Sequence, residues 1–107
     1  MHSPAVVNVL ALFFPKPGHR QEVLAALETA IPLVHEEEGC ELYAITEAPD
    51  GRIVMVEKWS SAAALDAHSN GAPVVALRAA LDGHLERDVD VTVLTPLPVG
   101  DARKGAL

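Results

Sequence analysis

The sequence is poor in the residues that most often announce a function. It holds one cysteine, Cys40, in 107 residues. A lone thiol forms no internal disulfide, so the chain needs no oxidising compartment, and no cysteine cluster offers a zinc site. Lysine and arginine number 8 against 15 aspartates and glutamates, for a formal net charge of −7. The basic residues are scattered, from Lys16 and Arg20 through Arg52 and Lys58 to Arg78, Arg87, Arg103 and Lys104. Nucleic acid needs a basic stripe to neutralise its phosphates, and none is present. No apolar run is long enough to span a bilayer, and no basic amphipathic helix suggests attachment to one. His2, His19, His35 and His84 show no ligand spacing such as His-x-x-x-His, so no metal is expected. The expectation is a cytoplasmic protein without nucleic-acid or membrane partners.

What is present is apolar. Half the residues are hydrophobic, enough at this length for one domain with a real core. Ala5–Phe14 is a dense β-branched and aromatic run, read as a strand. Asn8, Leu10, Leu12 and Phe14 share one of its faces, and Val7, Val9, Ala11 and Phe13 the other. Pro15-Lys16-Pro17-Gly18 ends it in a turn. The period then becomes helical: Val23, Leu27, Ala30, Ile31 and Val34 form one stripe, with Pro32 expected to kink it and Gly39 to end it. Glu36, Glu37 and Glu38 read as a solvated turn. Glu41–Glu47 is a second strand, joined by Ala48-Pro49-Asp50-Gly51 to an antiparallel third. Val74, Leu77, Leu81 and Leu85 mark a further helix, and Val89–Thr95 alternates as a fourth strand. Residues 1–95 form the expected domain, and 96–107 an irregular tail.

The stretch Arg52–His68 organises the rest. Ile53, Met55, Glu57 and Trp59 point to one face of the third strand, and Val54, Val56 and Lys58 to the other. Ser60 or Ser61 can cap the helix that follows. Leu65 and His68, three apart, share a face of that helix. Glu57, Trp59 and His68 are therefore expected to meet at one end of the sheet.

Strand, helix, two strands, split helix, strand is the order of a ferredoxin-like split βαβ sandwich, an α+β fold. Helices cover one face of such a sheet. The other, expected to carry Val7, Val9, Ala11 and Phe13 with Val54 and Val56, would be too apolar for a monomer to expose. A symmetric homodimer through that sheet face is expected.

Several local patterns carry a family resemblance. They are Lys16-Pro17-Gly18, Glu37-x-Gly39-Cys40-x-x-Tyr43, Glu57-x-Trp59 and Ala64-Leu65-x-x-His68, in that order over roughly residues 5–95. The chain resembles the antibiotic biosynthesis monooxygenase family of small dimeric α+β barrels. The resemblance implies a cofactor-independent monooxygenase that oxidises an electron-rich aromatic, a quinol or polyketide phenol, with O₂. It places Asn8, Trp59 and His68 as catalytic positions, with Tyr43 and Glu57 beside the substrate. Arg78 is the candidate for the basic residue that some members place in the pocket.

Such chemistry needs a base for a phenolic proton, donors for the developing anion and a dry cavity. His68 can be the base, since imidazoles exchange protons near neutrality. The Trp59 N–H and Asn8 amide can donate to the substrate oxygen. Leu10, Leu12, Ile45, Met55 and Leu65 would form an apolar wall. Each residue also has a plain structural reading. Trp59 and Tyr43 can be core aromatics, His68 a surface or capping residue, and Asn8 a partner for nearby backbone. Glu57 can sit in an ion pair with a basic residue, and Cys40 can be a small buried hydrophobe. Two other functions fit the same fold: a non-catalytic module for a small ligand or a partner, and haem binding through His68 or His84.

Overall fold

Seven elements follow one another in the structure, a computed structural model that describes residues 5–107. They are β1 (Val7–Phe13), α1 (Arg20–His35), β2 (Cys40–Glu47), β3 (Ile53–Trp59), α2 (Ala62–Ser69), α3 (Ala72–Leu81) and β4 (Asp90–Leu94). The first four residues of the expected 1–95 domain lie outside the described residues. The strands form one antiparallel sheet in the order β2-β3-β1-β4. This is the ferredoxin-like α+β arrangement. Among the described residues, no helix is long and apolar enough to cross a membrane.

Local chemistry sets most boundaries. Gly51, at φ 93°, turns the β2–β3 hairpin, and Ala48 N–H donates to Arg52 O across it at 2.8 Å. Ser61 caps α2, its Oγ accepting from Ala64 N at 3.1 Å. Helix α3 starts at Ala72, ahead of the expected Val74. Gly71 is its N-cap, and Pro73 falls in the first turn, where a missing N–H costs nothing. It ends at Leu81, and Leu85 instead bridges Pro15. Helix α1 continues past Pro32 to His35.

The core lies between the helices and one sheet face. Val23, Leu27, Ala30 and Val34 of α1, with Leu77 and Leu81 of α3, pack on Val9, Ala11, Phe13, Ile53, Met55 and Trp59. The β1–β3 register pairs Ala11 with Met55 and Phe13 with Ile53, which fixes these residues on the core side. This corrects the expected outer face. Val9, Ala11 and Phe13 point at the helices, while half-buried Leu10, Leu12, Val54 and Val56 make the opposite face. Both faces of β1 are apolar, so its own composition does not choose between them. The large core residues of β3 do.

One close approach positions everything that follows. Gly39 has φ 82°, and a Cβ there would stand 2.5 Å from Ala64 Cβ and 2.7 Å from Ser60 Oγ. Its carbonyl accepts from Ser60 N at 2.8 Å. The α1–β2 turn is thereby pressed against the start of α2. The same turn corrects the expected solvated run: Glu36 and Glu38 are exposed, but Glu37 is half-buried and turned inward.

Gly39→Ala is expected to cost about 2–4 kcal/mol, combining left-handed backbone strain with overpacking. Gly51→Ala, at φ 93° but with nothing within 4 Å of the added Cβ, carries only the strain. Equal losses in denaturant melts of the two variants would refute the close approach.

Candidate active site

At one end of the sheet the core becomes polar. Glu57 lies on the core face of β3 at 5% exposure, although it carries a carboxylate. The indole of Trp59, two residues on and 0% exposed, donates from Nε1 to Glu57 Oε1 at 2.9 Å. Burial pushes the Glu57 carboxyl above its ordinary value. The indole hydrogen bond, and then the nearby His68, act against that shift. The expected ion pair with a basic residue is not what forms: the partner is the indole. The Trp59 N–H is therefore engaged within the protein rather than held free for a ligand.

His68 is the one buried residue of α2, at 5% exposure. Its ring stacks on Trp59, with centroids 4.5 Å apart and planes 29° apart. Tyr43 meets the imidazole edge-on at 5.4 Å and the indole at 6.4 Å. The Nδ1 atom of His68 lies 2.6 Å from Glu37 Oε1. That contact orients the ring and assigns the proton on Nδ1 to the carboxylate side. Glu37 reaches it because Gly39 seats the turn on α2. The second Glu37 oxygen lies 2.8 Å from where a Cβ on Gly71 would stand, so a larger residue at that N-cap would displace the carboxylate.

Tyr43, Glu57 and His68 line one cavity of about 130 Å³, together with Val9, Phe13, Leu65, Leu77 and Arg78. Burial first, and then the charges of Glu57 and Glu37, push the Tyr43 hydroxyl well above its usual range, so it keeps its proton. Arg78, Leu81, Val89 and Val91 line this chamber and also a neighbouring groove of about 580 Å³. The chamber alone is below the roughly 300 Å³ of common small-molecule pockets, whereas chamber and groove together exceed it. Arg78 stands where the two meet.

The structure thus brings Trp59, His68, Tyr43, Glu57 and Leu65 together. Met55 is fully buried behind them and Ile45 half-buried, and neither lines the chamber. Asn8, Leu10 and Leu12 belong to the opposite sheet face by strand parity. Asn8 pairs with Lys58, is 3% exposed, and its Nδ2 approaches Glu57 O only at 3.5 Å. Glu37 is the site residue that sequence reasoning passed over. Its signal lay in the Glu37-x-Gly39 pattern, where a glycine that permits close approach follows a carboxylate.

The Glu57 shift has a defined sign. Its neutral form is favoured in the fold, so its stabilising contribution is complete below the ordinary value of 4.5 and is lost as pH rises through the higher folded value. Glu57→Gln keeps an oxygen acceptor for the indole without the charge. The variant is expected to melt above wild type at neutral pH, with an advantage that shrinks as pH falls. Identical pH profiles of the melting temperature would remove this account.

Comparison with known proteins agrees with the architecture. Residues 6–80 match the family model described as "Antibiotic biosynthesis monooxygenase". The chain is 38% identical over 103 residues to "Putative monooxygenase Rv0793" of Mycobacterium tuberculosis, covering 95% of this chain and 100% of that one. It is 34% identical over 104 residues to "Probable quinol monooxygenase YgiN" of Escherichia coli, covering 85% and 98%. The solved structure of Rv0793 superposes with a TM-score of 0.84 at 36% identity, over 91% of this chain and 100% of that one. A crystal structure titled as an antibiotic biosynthesis monooxygenase gives 0.79 at 26% identity, over 86% and 99%. By sequence and by fold, the chain belongs to the antibiotic biosynthesis monooxygenase family.

Proposed function

We propose that the protein is a cofactor-independent monooxygenase that oxidises an electron-rich phenol or quinol with O₂, and that His68 is its base. Family membership and the named relatives support the monooxygenase class. The observation that carries the finer reading is the posture of His68. One ring nitrogen is held by Glu37, and the ring itself borders a mostly apolar chamber that Arg78 also lines.

In this reading, His68 Nε2 takes the proton of a substrate hydroxyl. The phenolate that forms is electron-rich, and Arg78 and the Tyr43 hydroxyl stabilise its oxygen. O₂ adds to a C–H ring carbon conjugated with that oxygen, with the substrate supplying the electrons. His68 returns its proton to the peroxide. Loss of water, which takes the ring hydrogen, leaves a carbonyl. One oxygen atom ends in the quinone and the other in water, so no external reductant is consumed. Glu37 acts through His68 as a positioning residue, and the stacked Trp59 keeps the imidazole in plane. Haem receives less support, because His68 Nδ1 is engaged by Glu37 and His84 faces His19.

The same proposal includes a homodimer. Leu10, Leu12, Val54 and Val56 form an apolar strip on the outer sheet face, and Leu94, Leu97 and Val99 are exposed at 38%, 82% and 78%. A second copy would cover the strip. A cytoplasmic setting fits as well, since the free Cys40 needs no oxidising compartment.

Two measurements test these readings. Oxygen uptake with a panel of hydroquinones should fall about 100-fold in kcat/KM in His68→Ala, and Glu37→Gln should alter the pH profile of kcat. Wild-type rates in His68→Ala would eliminate the proposed base, and ligand-induced thermal stabilisation without oxygen consumption would favour a binding module. Light scattering at micromolar concentration should give twice the 11.3 kDa chain mass, and Val54→Glu should return the monomer. A monomeric wild type would refute the dimer.

A further inference from the structure

Three side chains outside the cavity are gathered by the fold. His19 is the N-cap of α1, Glu22 lies in its first turn, and His84 follows α3. The two imidazoles face each other through their Nδ1 atoms at 2.9 Å, with ring centroids 5.2 Å apart. Donor atoms of His19, Glu22 and His84 all lie within 4.8 Å of one another. At that N···N separation one ring donates its proton and the other offers a lone pair. What converges is a pair of imidazole nitrogens with a carboxylate beside them.

The backbone fixes this meeting. His84 O accepts from Lys16 N at 3.0 Å, and His19 N donates to Lys16 O at 2.9 Å. Glu86 N donates to Phe14 O at 2.8 Å, and Leu85 bridges Pro15. The two histidines, 65 positions apart, therefore sit on segments already laced together. Neither imidazole has to search for the other.

We propose that His19, Glu22 and His84 bind a divalent transition ion of the zinc class, with water completing the coordination. Zn–N bonds of about 2.0–2.1 Å at a tetrahedral angle set the two nitrogens about 3.3 Å apart. The 2.9 Å found here opens to that value by small rotations of side chains that are not tightly buried. Glu22 is exposed and can swing in on its flexible stem. Imidazole donors select zinc, cobalt or nickel over magnesium and calcium, which require oxygen shells. On binding, the ring that donated its Nδ1 proton carries it on Nε2 instead, so two neutral rings release no proton. The positive end of α1 and the Lys16 ammonium, bonded to Gly83 O at 3.0 Å, oppose a cation. The Glu22 carboxylate offsets them. None of the three ligands lines the His68 chamber, so the site stands independently of the proposed oxidation. Its effect is to pin the start of α1 to the α3–β4 connection.

The test uses the full-length protein stripped with chelator, titrated with Zn²⁺ by calorimetry and with Co²⁺ by visible absorption. About one ion per chain is expected, with a cobalt spectrum of low coordination number. His19→Ala and His84→Ala should each weaken zinc binding by at least about tenfold, and His35→Ala should not. Zinc should raise the melting temperature of wild type and fail to raise that of His84→Ala. If an alanine variant does not fold by circular dichroism, His19→Asn and His84→Asn supply the same comparison. Absence of saturable binding to wild type overturns the proposal. So does wild-type affinity in the His19 and His84 variants, or an equal loss in His35→Ala.

Discussion

A carboxylate on the core face of a central strand costs free energy unless something receives it. In this protein the acceptor position at Glu57 is met by the indole of Trp59, two residues along the same strand. That hydrogen bond is short in sequence and deep in the fold. It orients the indole plane, and the indole plane is the shelf on which the His68 imidazole rests. Tyr43, cross-strand from Glu57, closes the remaining side. The polar end of the core is therefore a connected set rather than scattered defects. Among the described residues no buried side-chain nitrogen or oxygen lacks a partner.

The second dependency runs through the turn after α1. Gly39 allows contact with α2 closer than any Cβ permits. That contact delivers Glu37 to the outer nitrogen of His68. A β-bulge between Cys40 and Leu42 then resets the parity of β2, so that Cys40 pairs with Trp59 while Leu42 faces outward with Lys58. Without the reset, Tyr43 would point away from the histidine. Loop, bulge and helix cap are each small local devices, and together they bring the α1–β2 turn, β2, β3 and α2 to one point.

Much of this was legible in the sequence because it is local. The Asp50-Gly51 turn, a serine cap at Ser60 or Ser61, the α1 stripe and the alternation of Ile53, Met55, Glu57 and Trp59 depend on near neighbours. The shared face of Glu57, Trp59 and His68 followed from two periodicities meeting at a short turn. What stayed hidden needed long-range information. β1 is apolar on both faces, so only its register with β3 assigns Val9, Ala11 and Phe13 inward and Asn8, Leu10 and Leu12 outward. Glu37 sits in an acidic run that reads as solvent-facing until the glycine behind it is seen to touch α2. His19 and His84 carry no shared spacing at all, and only the pairing of their two segments makes them neighbours.

The stacking of His68 on Trp59 has a practical corollary. Trp59 is the sole tryptophan of the chain, so all indole emission arises from that one ring. A protonated imidazole in face contact draws charge from an excited indole and quenches it. Intrinsic fluorescence is therefore a label-free meter of the histidine's charge, read at the place where the chemistry is proposed to occur.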